Sequence, residues 1–194
     1  MQSLGKDRRF LFLQGPHGPF FGALAKSLRA TGAEVFRVGF NRADQVFWRG
    51  PGFIPYRESY DDWPDHLETL IARHEITDIV LYGASRPIHK AALTLDITVH
   101  VFEEGYLRPY WITYERGGAN ASSRLMDLSL DQMETALARN LPKLTEAPDR
   151  WGDMNQHMFW GAAYHAFLMW GNRGYPGFRP HRTPGVNREF LLHF

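Results

Sequence analysis

The sequence contains no cysteine, which excludes disulfide bonds and thiolate metal sites and leaves a reducing compartment permitted. It also lacks any run of about 18 apolar residues, the length that a membrane-spanning helix requires. Residues 1–9 are polar and lack the apolar segment of a signal peptide. The formal net charge is only +1, which argues neither for nor against a nucleic-acid partner. These absences predict a cytoplasmic protein, or one at most peripheral to a membrane.

The composition is that of an ordinary folded protein. Of the 194 residues, 44% are hydrophobic, 14% aromatic and 22% charged, which is far from the signature of disorder. A chain of this length buries roughly 70% of its unfolded surface when it folds. We therefore expect a substantial hydrophobic core.

Short apolar runs alternate with helical periodicities along the first half of the chain. Helices are predicted from Pro19 to Gly32, around Trp63 to His74, and after Ser85. Between them, short apolar runs predict four strands: Arg9–Leu13, Val35–Phe40, Asp78–Tyr82 and Ile97–Phe102. The aromatic, Gly- and Pro-rich segment 41–59 is predicted to be a long ordered loop. This alternation predicts an α/β fold, a Rossmann-like parallel sheet of four or more strands with helices on both faces.

The pattern changes after Glu104. We predict a strand at 111–114, a helix at 129–140, a linker at 141–149 and a helix at 153–171. The Met and Trp residues of the last helix are interpreted as packing residues. We expect a Rossmann-like lobe at 1–150 and a helical or linker segment at 151–194 that leads to a second lobe outside this chain. The chain ends within an apolar pattern, which predicts a truncated protein.

Ligands of open parallel sheets bind beyond the carboxyl ends of the strands, where loops and helix amino-termini converge. This rule selects candidate ligand-binding residues of polar and glycine-rich character: Gln14, Gly15, His17, Gly18, Asn41, Ser85 and Arg86. They suit a polar or anionic ligand. The glycines at 15, 18 and 22 match neither a dinucleotide fingerprint nor a phosphate loop, so a tight strand-to-helix turn explains them equally well.

Two adjacent carboxylates, Glu103 and Glu104, follow the fourth predicted strand. Successive side chains of an extended strand point to opposite faces, so only one of the two can enter a cleft. We predict Glu104 as the cleft carboxylate and Glu103 as the residue that packs or pairs behind it. A carboxylate in a partly dry cleft can act as a general acid or base. Capping of the strand, or pairing with arginine, is the structural alternative.

Other candidate sites are less specific. The nine histidines show no metal-binding spacing, so no metal site and no cofactor are expected. Arg173, Arg179, His181 and Arg182 form a basic stretch that suits anionic lipid head groups or a phosphate, or is simply a solvated linker.

Three motifs in order resemble the capsule polysaccharide biosynthesis and export proteins of the KpsS/LipB type. They are Phe12-Leu13-Gln14-Gly15-Pro16-His17-Gly18-Pro19-Phe20-Phe21, Arg86-Pro87-Ile88-His89 and Val101-Phe102-Glu103-Glu104-Gly105-Tyr106-Leu107-Arg108-Pro109. The resemblance extends along nearly the whole chain, although family members are about twice as long.

The resemblance implies a two-lobed glycosyltransferase that moves the sugar acid Kdo from CMP-Kdo to a phosphatidylglycerol-type lipid or a growing Kdo linker, with retention. It implies an active-site role for Glu103, Glu104 and Arg108, and substrate contacts at His89 and Asn120. The expected partners are a nucleotide-sugar donor, an anionic lipid acceptor, the inner face of the cytoplasmic membrane and capsule assembly proteins, with no nucleic acid. We expect this chain alone to be inactive, because the nucleotide contacts lie mostly in the second lobe.

Two other functions compete with this hypothesis. The first is a non-catalytic binding module of a capsule export complex, which would use the aromatic segment at Phe47, Trp48 and Phe53 together with the basic stretch near Arg179. The second is a generic nucleotide-binding hydrolase, which the absence of a phosphate-loop or metal motif disfavours.

Overall fold

Six strands form one sheet at the centre of the computed structural model, which describes residues 5–83, 87–105, 111–119, 123–139 and 154–179. The strands are β1 (Arg9–Phe12), β2 (Glu34–Gly39), β3 (Phe53–Pro55), β4 (Asp78–Tyr82), β5 (Thr98–Glu104) and β6 (Ile112–Arg116). The helices are α1 (Phe20–Ala30), α2 (Arg42–Phe47), α3 (Trp63–His74), α4 (Pro87–Leu93), α5 (Leu130–Arg139) and α6 (Met154–Gly171).

The strand order is β3-β2-β1-β4-β5-β6, and the first five strands are parallel. β6 runs antiparallel to β5 and pairs Glu104 with Ile112. The chain moves outward from β1 in one direction through β3 and then crosses back to continue from β4. The predicted α/β, Rossmann-like class is confirmed, and the switch point lies between β1 and β4.

Both faces of the sheet are covered, because alternate strand residues point to opposite sides. On one face, Leu11, Ile79 and Val101 pack under α3, where Trp63 and Leu67 are buried. On the other face, Phe12 and Val80 pack under α1 through Phe21. The apolar runs of the sequence therefore belong to strands that are buried from both sides.

The segment 41–59 was predicted to be a loop, and this prediction is wrong. It contains α2 and the short edge strand β3. Asn41 caps α2 by accepting a hydrogen bond from the backbone N–H of Asp44 at 2.9 Å, and β3 pairs with β2. Both elements are too short to show a period, which is why the sequence pattern did not reveal them.

The carboxyl-terminal segment described by the structure is α6, which packs mainly against α2. Tyr164 and Leu168 of α6 join Ala43 and Phe47 of α2 in a small third core cluster. Because α2 begins directly after β2, α6 lies next to the carboxyl ends of β1 and β2. None of the described helices is both long enough and apolar enough to span a bilayer.

Candidate functional site

Three predicted ligand-binding residues meet at the carboxyl ends of β1 and β2. Gln14 follows β1 and Asn41 follows β2, and both side chains are buried. The amide of Gln14 donates a hydrogen bond to the Tyr164 hydroxyl oxygen at 3.2 Å, and the amide of Asn41 donates to the same oxygen at 2.9 Å. His17 stacks on the Tyr164 ring at a centroid distance of 4.3 Å. Tyr164 of α6 therefore gathers residues from two strand ends.

Tyr164 was not among the residues selected from the sequence. It is 6% exposed and lies more than 120 positions from the three residues that it contacts. Its neighbour His165 is also buried and makes an edge contact with the His17 ring at 5.4 Å. A Tyr-His pair in the middle of the last predicted helix was a weak signal, and the local pattern did not link it to the strand ends.

The glycines of the first loop have clear packing roles. A Cβ atom on Gly15 would lie 2.4 Å from the Phe21 ring, and one on Gly18 would lie 3.0 Å from Trp160 of α6. Gly18 also has a φ of 94°, which side-chain-bearing residues rarely adopt. These contacts support the turn-and-packing explanation of both glycines, while their role in binding a ligand stays a prediction.

A buried ion pair supports this part of the site. Arg37 in β2 and Asp44 in α2 are 2% and 0% exposed, and the guanidinium donates to Asp44 Oδ1 at 2.8 Å. The other carboxylate oxygen accepts the backbone N–H of Phe40 at 3.0 Å. Asn41 lies between Arg37 and Asp44 in the sequence. The ion pair therefore holds the backbone that positions the side-chain amide of Asn41. The strand pattern at 35–40 gave no indication that Arg37 would be buried.

The predicted catalytic carboxylates lie at the end of β5. The strand is extended through both residues, which pair with Thr113 and Ile112 of β6, so the two side chains point to opposite faces. Glu104 is exposed, whereas Glu103 is half-buried, with Oε1 4.0 Å from the position of a Cβ on Gly83. Glu103 thus faces the carboxyl end of β4, beside the switch point. The separate roles of the two residues stay predictions.

β5 lies two strands from β1, which corresponds to about 10 Å across the sheet. Gln14 and Glu104 therefore belong to the same edge of the sheet but to different halves of it. The first half, which we call the covered half, comprises Gln14, His17 and Asn41 under Tyr164. The second, the carboxylate half, comprises Gly83, Glu103 and Glu104.

His89 belongs to α4 and is completely buried. Its Nδ1 hydrogen-bonds with the carbonyl oxygen of Gly83 and thereby fastens α4 to the end of β4. This contact is structural, and the predicted substrate contact of His89 is untested. Four further predicted site residues lie outside the described residues, namely Ser85, Arg86, Arg108 and Asn120.

A buried carboxylate with several hydrogen-bond partners lies at the opposite edge of the sheet. Asp78 begins β4 and bonds with Arg8, Thr77 and His100, with the His100 contact at 2.7 Å. Burial acts to raise the pKa of Asp78, but the hydrogen bonds from Arg8, Thr77 and His100 outweigh it and hold the pKa below its usual value. His100 in turn contacts the Tyr114 hydroxyl at 2.7 Å. This chain of contacts joins β4, β5 and β6 away from the strand-end edge.

Two interpretations of aromatic and sulfur-containing residues are corrected by the structure. Met158, Met169 and Trp170 were expected to pack, but they are 40%, 39% and 80% exposed. Trp160 packs as expected, against Phe47 at 5.5 Å. Conversely, Phe47 and Trp48 were considered for a partner surface and are buried, because α2 and its following turn place them in the core.

Among the residues that the structure describes, no three His, Asp or Glu side chains lie close enough together to hold a metal ion. Arg179, in the basic stretch, lies 3.5 Å from Asp61. Arg173 is exposed, and His181 and Arg182 of that stretch lie outside the described residues.

Comparison with known proteins places these features in context. The family described as "Capsule polysaccharide biosynthesis protein" matches residues 77–192. The capsule polysaccharide modification protein LipB of Neisseria meningitidis serogroup B is 33% identical over 192 residues, which cover 94% of this chain and 45% of LipB. The capsule polysaccharide export protein KpsS of Escherichia coli is 38% identical over 122 residues, covering 61% of this chain and 31% of KpsS.

The two LipB proteins match nearly all of this chain, but the chain spans only about half of their length. No solved structure matches it.

Proposed function

The chain belongs to the capsule polysaccharide biosynthesis protein family, and from that premise we propose that it forms the acceptor-side part of a glycosyltransferase. The reaction would transfer Kdo from CMP-Kdo to a phosphatidylglycerol-type lipid or to a growing Kdo linker. The nucleotide contacts would come mostly from sequence that the relatives have and this chain does not. The relatives themselves are named for capsule polysaccharide modification and export.

The observation that carries the proposal is the position of Glu103 and Glu104 at the carboxyl end of β5. Parallel α/β sheets bind ligands at this edge, beside the point where the strand order reverses. Each face of the strand end presents one carboxylate. The arrangement suits a mechanism in which a single carboxylate, not a facing pair, assists the transfer.

In the proposed step, the acceptor hydroxyl oxygen forms a bond to the anomeric carbon of Kdo on the same face from which CMP leaves, as the retention implied by the family resemblance requires. The bond from that carbon to the phosphate oxygen breaks, and CMP leaves with the electron pair. The acceptor's proton passes to a carboxylate, for which we propose Glu104 because it is exposed to an incoming substrate. Glu103 is half-buried beside Gly83 and would position the end of β4.

The decisive experiment replaces Glu104 by Gln in a full-length protein that contains this chain. Transfer of Kdo from CMP-Kdo to the lipid acceptor should fall at least about a hundredfold, because the substitution keeps the size and removes the base. Glu115→Gln on the neighbouring strand β6 serves as a control and should retain activity. Full activity of Glu104→Gln would refute the assigned role.

The isolated chain provides a second test. We expect it to fold and to form no product from CMP-Kdo and lipid, since the nucleotide contacts would be missing. Product formation by the 194-residue chain would show that it holds a complete active site.

A non-catalytic assembly module is the second candidate, and one observation favours it. Helix α5 has no buried residue among its ten, and Leu130 and Leu137 are 77% and 62% exposed on it. Exposed apolar side chains at this spacing suit a protein partner. Under this function, Leu130→Ser with Leu137→Ser would stop capsule export in cells while Glu104→Gln would not, which is the reverse of the transferase prediction.

A further inference from the structure

The contacts that run from Asp78 to Tyr114 form a second polar cluster, outside the strand-end edge. His100 of β5 lies between the other two residues. Its Nε2 is 2.7 Å from Asp78 Oδ1, and its Nδ1 is 2.7 Å from the hydroxyl oxygen of Tyr114. Asp78 and His100 are 1% and 7% exposed, whereas Tyr114 is 47% exposed. A buried carboxylate and a buried imidazole therefore lead to the hydroxyl group of an exposed residue.

The direction of these hydrogen bonds follows from their partners. Donors on Arg8 and Thr77 hold Asp78 as a carboxylate, which can only accept a hydrogen bond. Nε2 of His100 therefore carries the hydrogen, and Nδ1 of the neutral ring is the acceptor. The Tyr114 hydroxyl donates to that Nδ1. This is the order of a nucleophile, a general base and a carboxylate that orients the base.

The Tyr114 ring is held in place by its neighbours on β5. It packs against the Phe102 ring at a centroid distance of 4.9 Å, and Phe102 lies directly opposite it in the β5–β6 pairing. It also stacks with the His100 ring, at 5.9 Å and 11° between the planes. A hydroxyl group whose position is fixed before the reaction loses little entropy when it attacks.

Two arginines lie near the hydroxyl group. Arg116 is exposed and pairs directly opposite His100, which places their Cβ atoms about 5 Å apart on one face of the sheet. The pKa of Arg8 is raised mainly by its hydrogen bond with Asp78, against the effect of burial, and to a smaller extent by the charge of an ionised Tyr114. Both cations favour a donor that carries negative charge.

We propose that Tyr114 is an activated nucleophile that accepts an acyl group from an acyl phosphate, with His100 as its base and Asp78 as the positioning residue. An acyl phosphate combines an electrophilic carbonyl carbon with an anionic leaving group, which the hydroxyl group and the arginines complement. The phenol oxygen forms a bond to the acyl carbon, and the bond from that carbon to the phosphate oxygen breaks. Phosphate leaves with the electron pair, and the Tyr114 proton passes to His100 and then to the phosphate.

This site is separate from the proposed transferase site. His100 and Glu104 are four residues apart on β5, which corresponds to about 13 Å along the strand. An inactive transferase with a reactive Tyr114 would contradict only the proposed function. An active transferase with an unreactive Tyr114 would contradict only this inference.

Acetyl phosphate is the probe for the test. The 194-residue chain is incubated with it, and acetylated residues are identified by mass spectrometry of proteolytic peptides. We expect Tyr114 to be acetylated at least about tenfold faster in the folded chain than in the urea-unfolded chain, because only the folded chain supplies the base.

His100→Gln tests the base. Glutamine keeps a donor for Asp78 and removes the basic nitrogen, so acetylation of Tyr114 should slow on the order of a hundredfold. His74→Gln on α3 is the matched control and should leave the rate unchanged. Circular dichroism establishes that each variant is folded.

Arg116→Gln tests the charge. It changes an exposed side chain, so it keeps the inference testable if His100→Gln does not fold. Acetylation by acetyl phosphate should slow about fivefold at low salt, and acetylation by p-nitrophenyl acetate, an uncharged donor, should change little. Equal slowing with both donors would contradict the role of the arginine.

Asp78→Asn tests the positioning residue through a profile of rate against pH. The charged and titratable groups that face His100 are Asp78 of β4, Arg8 before β1, and Tyr114 and Arg116 of β6. The rate should rise between roughly pH 5 and pH 8 as the imidazole loses its proton. Asp78→Asn should move this rise to lower pH, because the protonated ring loses the neighbouring carboxylate. A role in folding alone would lower the rate without moving the profile.

Three outcomes would overturn the inference: equal acetylation of Tyr114 in the folded and unfolded chains, acetylation that folded His100→Gln does not slow, or a phosphate group on Tyr114 in place of an acetyl group. The first two would make the cluster a structural network. The third would mean that the hydroxyl group attacks phosphorus and not the acyl carbon.

Discussion

The two halves of the strand-end edge differ in the burial of their polar residues. In the covered half, Gln14 and Asn41 are buried and both donate to Tyr164, with the Arg37–Asp44 ion pair buried beneath. In the carboxylate half, Glu104 stands exposed at the end of β5. One half is therefore built by long-range side-chain contacts, and the other presents a charged group to solvent.

Under the proposed function, this difference separates two tasks of one sheet edge. Buried, mutually bonded polar groups hold a geometry, because losing any one of them leaves its partners without hydrogen bonds in a dry environment. An exposed carboxylate contributes little to stability but can reach a substrate and exchange a proton. Stability and chemistry should then respond to substitutions in different halves.

The largest effect is expected from the ion pair under the covered half. Asp44→Ala leaves the fully buried Arg37 without its carboxylate and should lower the free energy of unfolding by about 3–5 kcal/mol. Urea denaturation followed by circular dichroism measures this loss. Glu34→Ala removes a surface partner of Arg9 at 3.9 Å and should change stability by less than about 0.5 kcal/mol. Equal losses of unfolding free energy in the two variants would show that the buried Arg37–Asp44 pair stabilises the fold no more than the exposed Arg9–Glu34 pair.

Asp78 provides a buried carboxylate outside the strand-end edge. Its pKa is lower in the folded protein than the ordinary value of 3.8, so its stabilising contribution is present above that pH and is lost as the pH falls through the folded pKa. Asp78→Asn should lower stability at pH 7 by roughly 1–3 kcal/mol and weaken the acid-side decline. Unfolding curves between pH 7 and pH 2 test this. An unchanged acid profile in the variant would contradict the assignment.

A smaller effect should come from the hydroxyl group that links the covered half. In a double-mutant cycle of Tyr164→Phe and Asn41→Ala, we expect a coupling energy of about 1 kcal/mol. Asn41→Ala also removes the cap of α2. That loss is present both in the single variant and in the double variant, so it cancels from the coupling energy. Additive effects in urea denaturation would mean that Tyr164 does not couple to Asn41.

The smallest stability effect is expected in the carboxylate half. Glu104→Gln should change the free energy of unfolding by less than about 0.5 kcal/mol, because the side chain is exposed. The same urea titration measures it beside Asp44→Ala. A loss as large as that of Asp44→Ala would erase the distinction between the two halves and would make Glu104 a structural residue.

Much of the fold was predictable from local pattern. The strands at β1, β2, β4 and β5 were found because apolar runs between turn residues are a local property, and the predicted ligand edge follows from their parallel order. α2 and β3 were missed because six and three residues are too few to show a period. Of the site, the backbone positions of Gln14, His17, Asn41, Glu103 and Glu104 were predictable, and their partners were not.

The sequence by itself determined the α/β order and the opposite faces of Glu103 and Glu104, because each follows from a repeat of two or four residues or from chain order. That ligands bind at the carboxyl edge of the strands stays a prediction. Only the tertiary structure decided that Tyr164 joins Gln14 to Asn41, that Arg37 is buried with Asp44, and which face of α6 is exposed. A helix that is apolar all round carries no periodic signal for its buried side. Its orientation is set by the groups that it packs against, and those lie more than a hundred residues away in the chain.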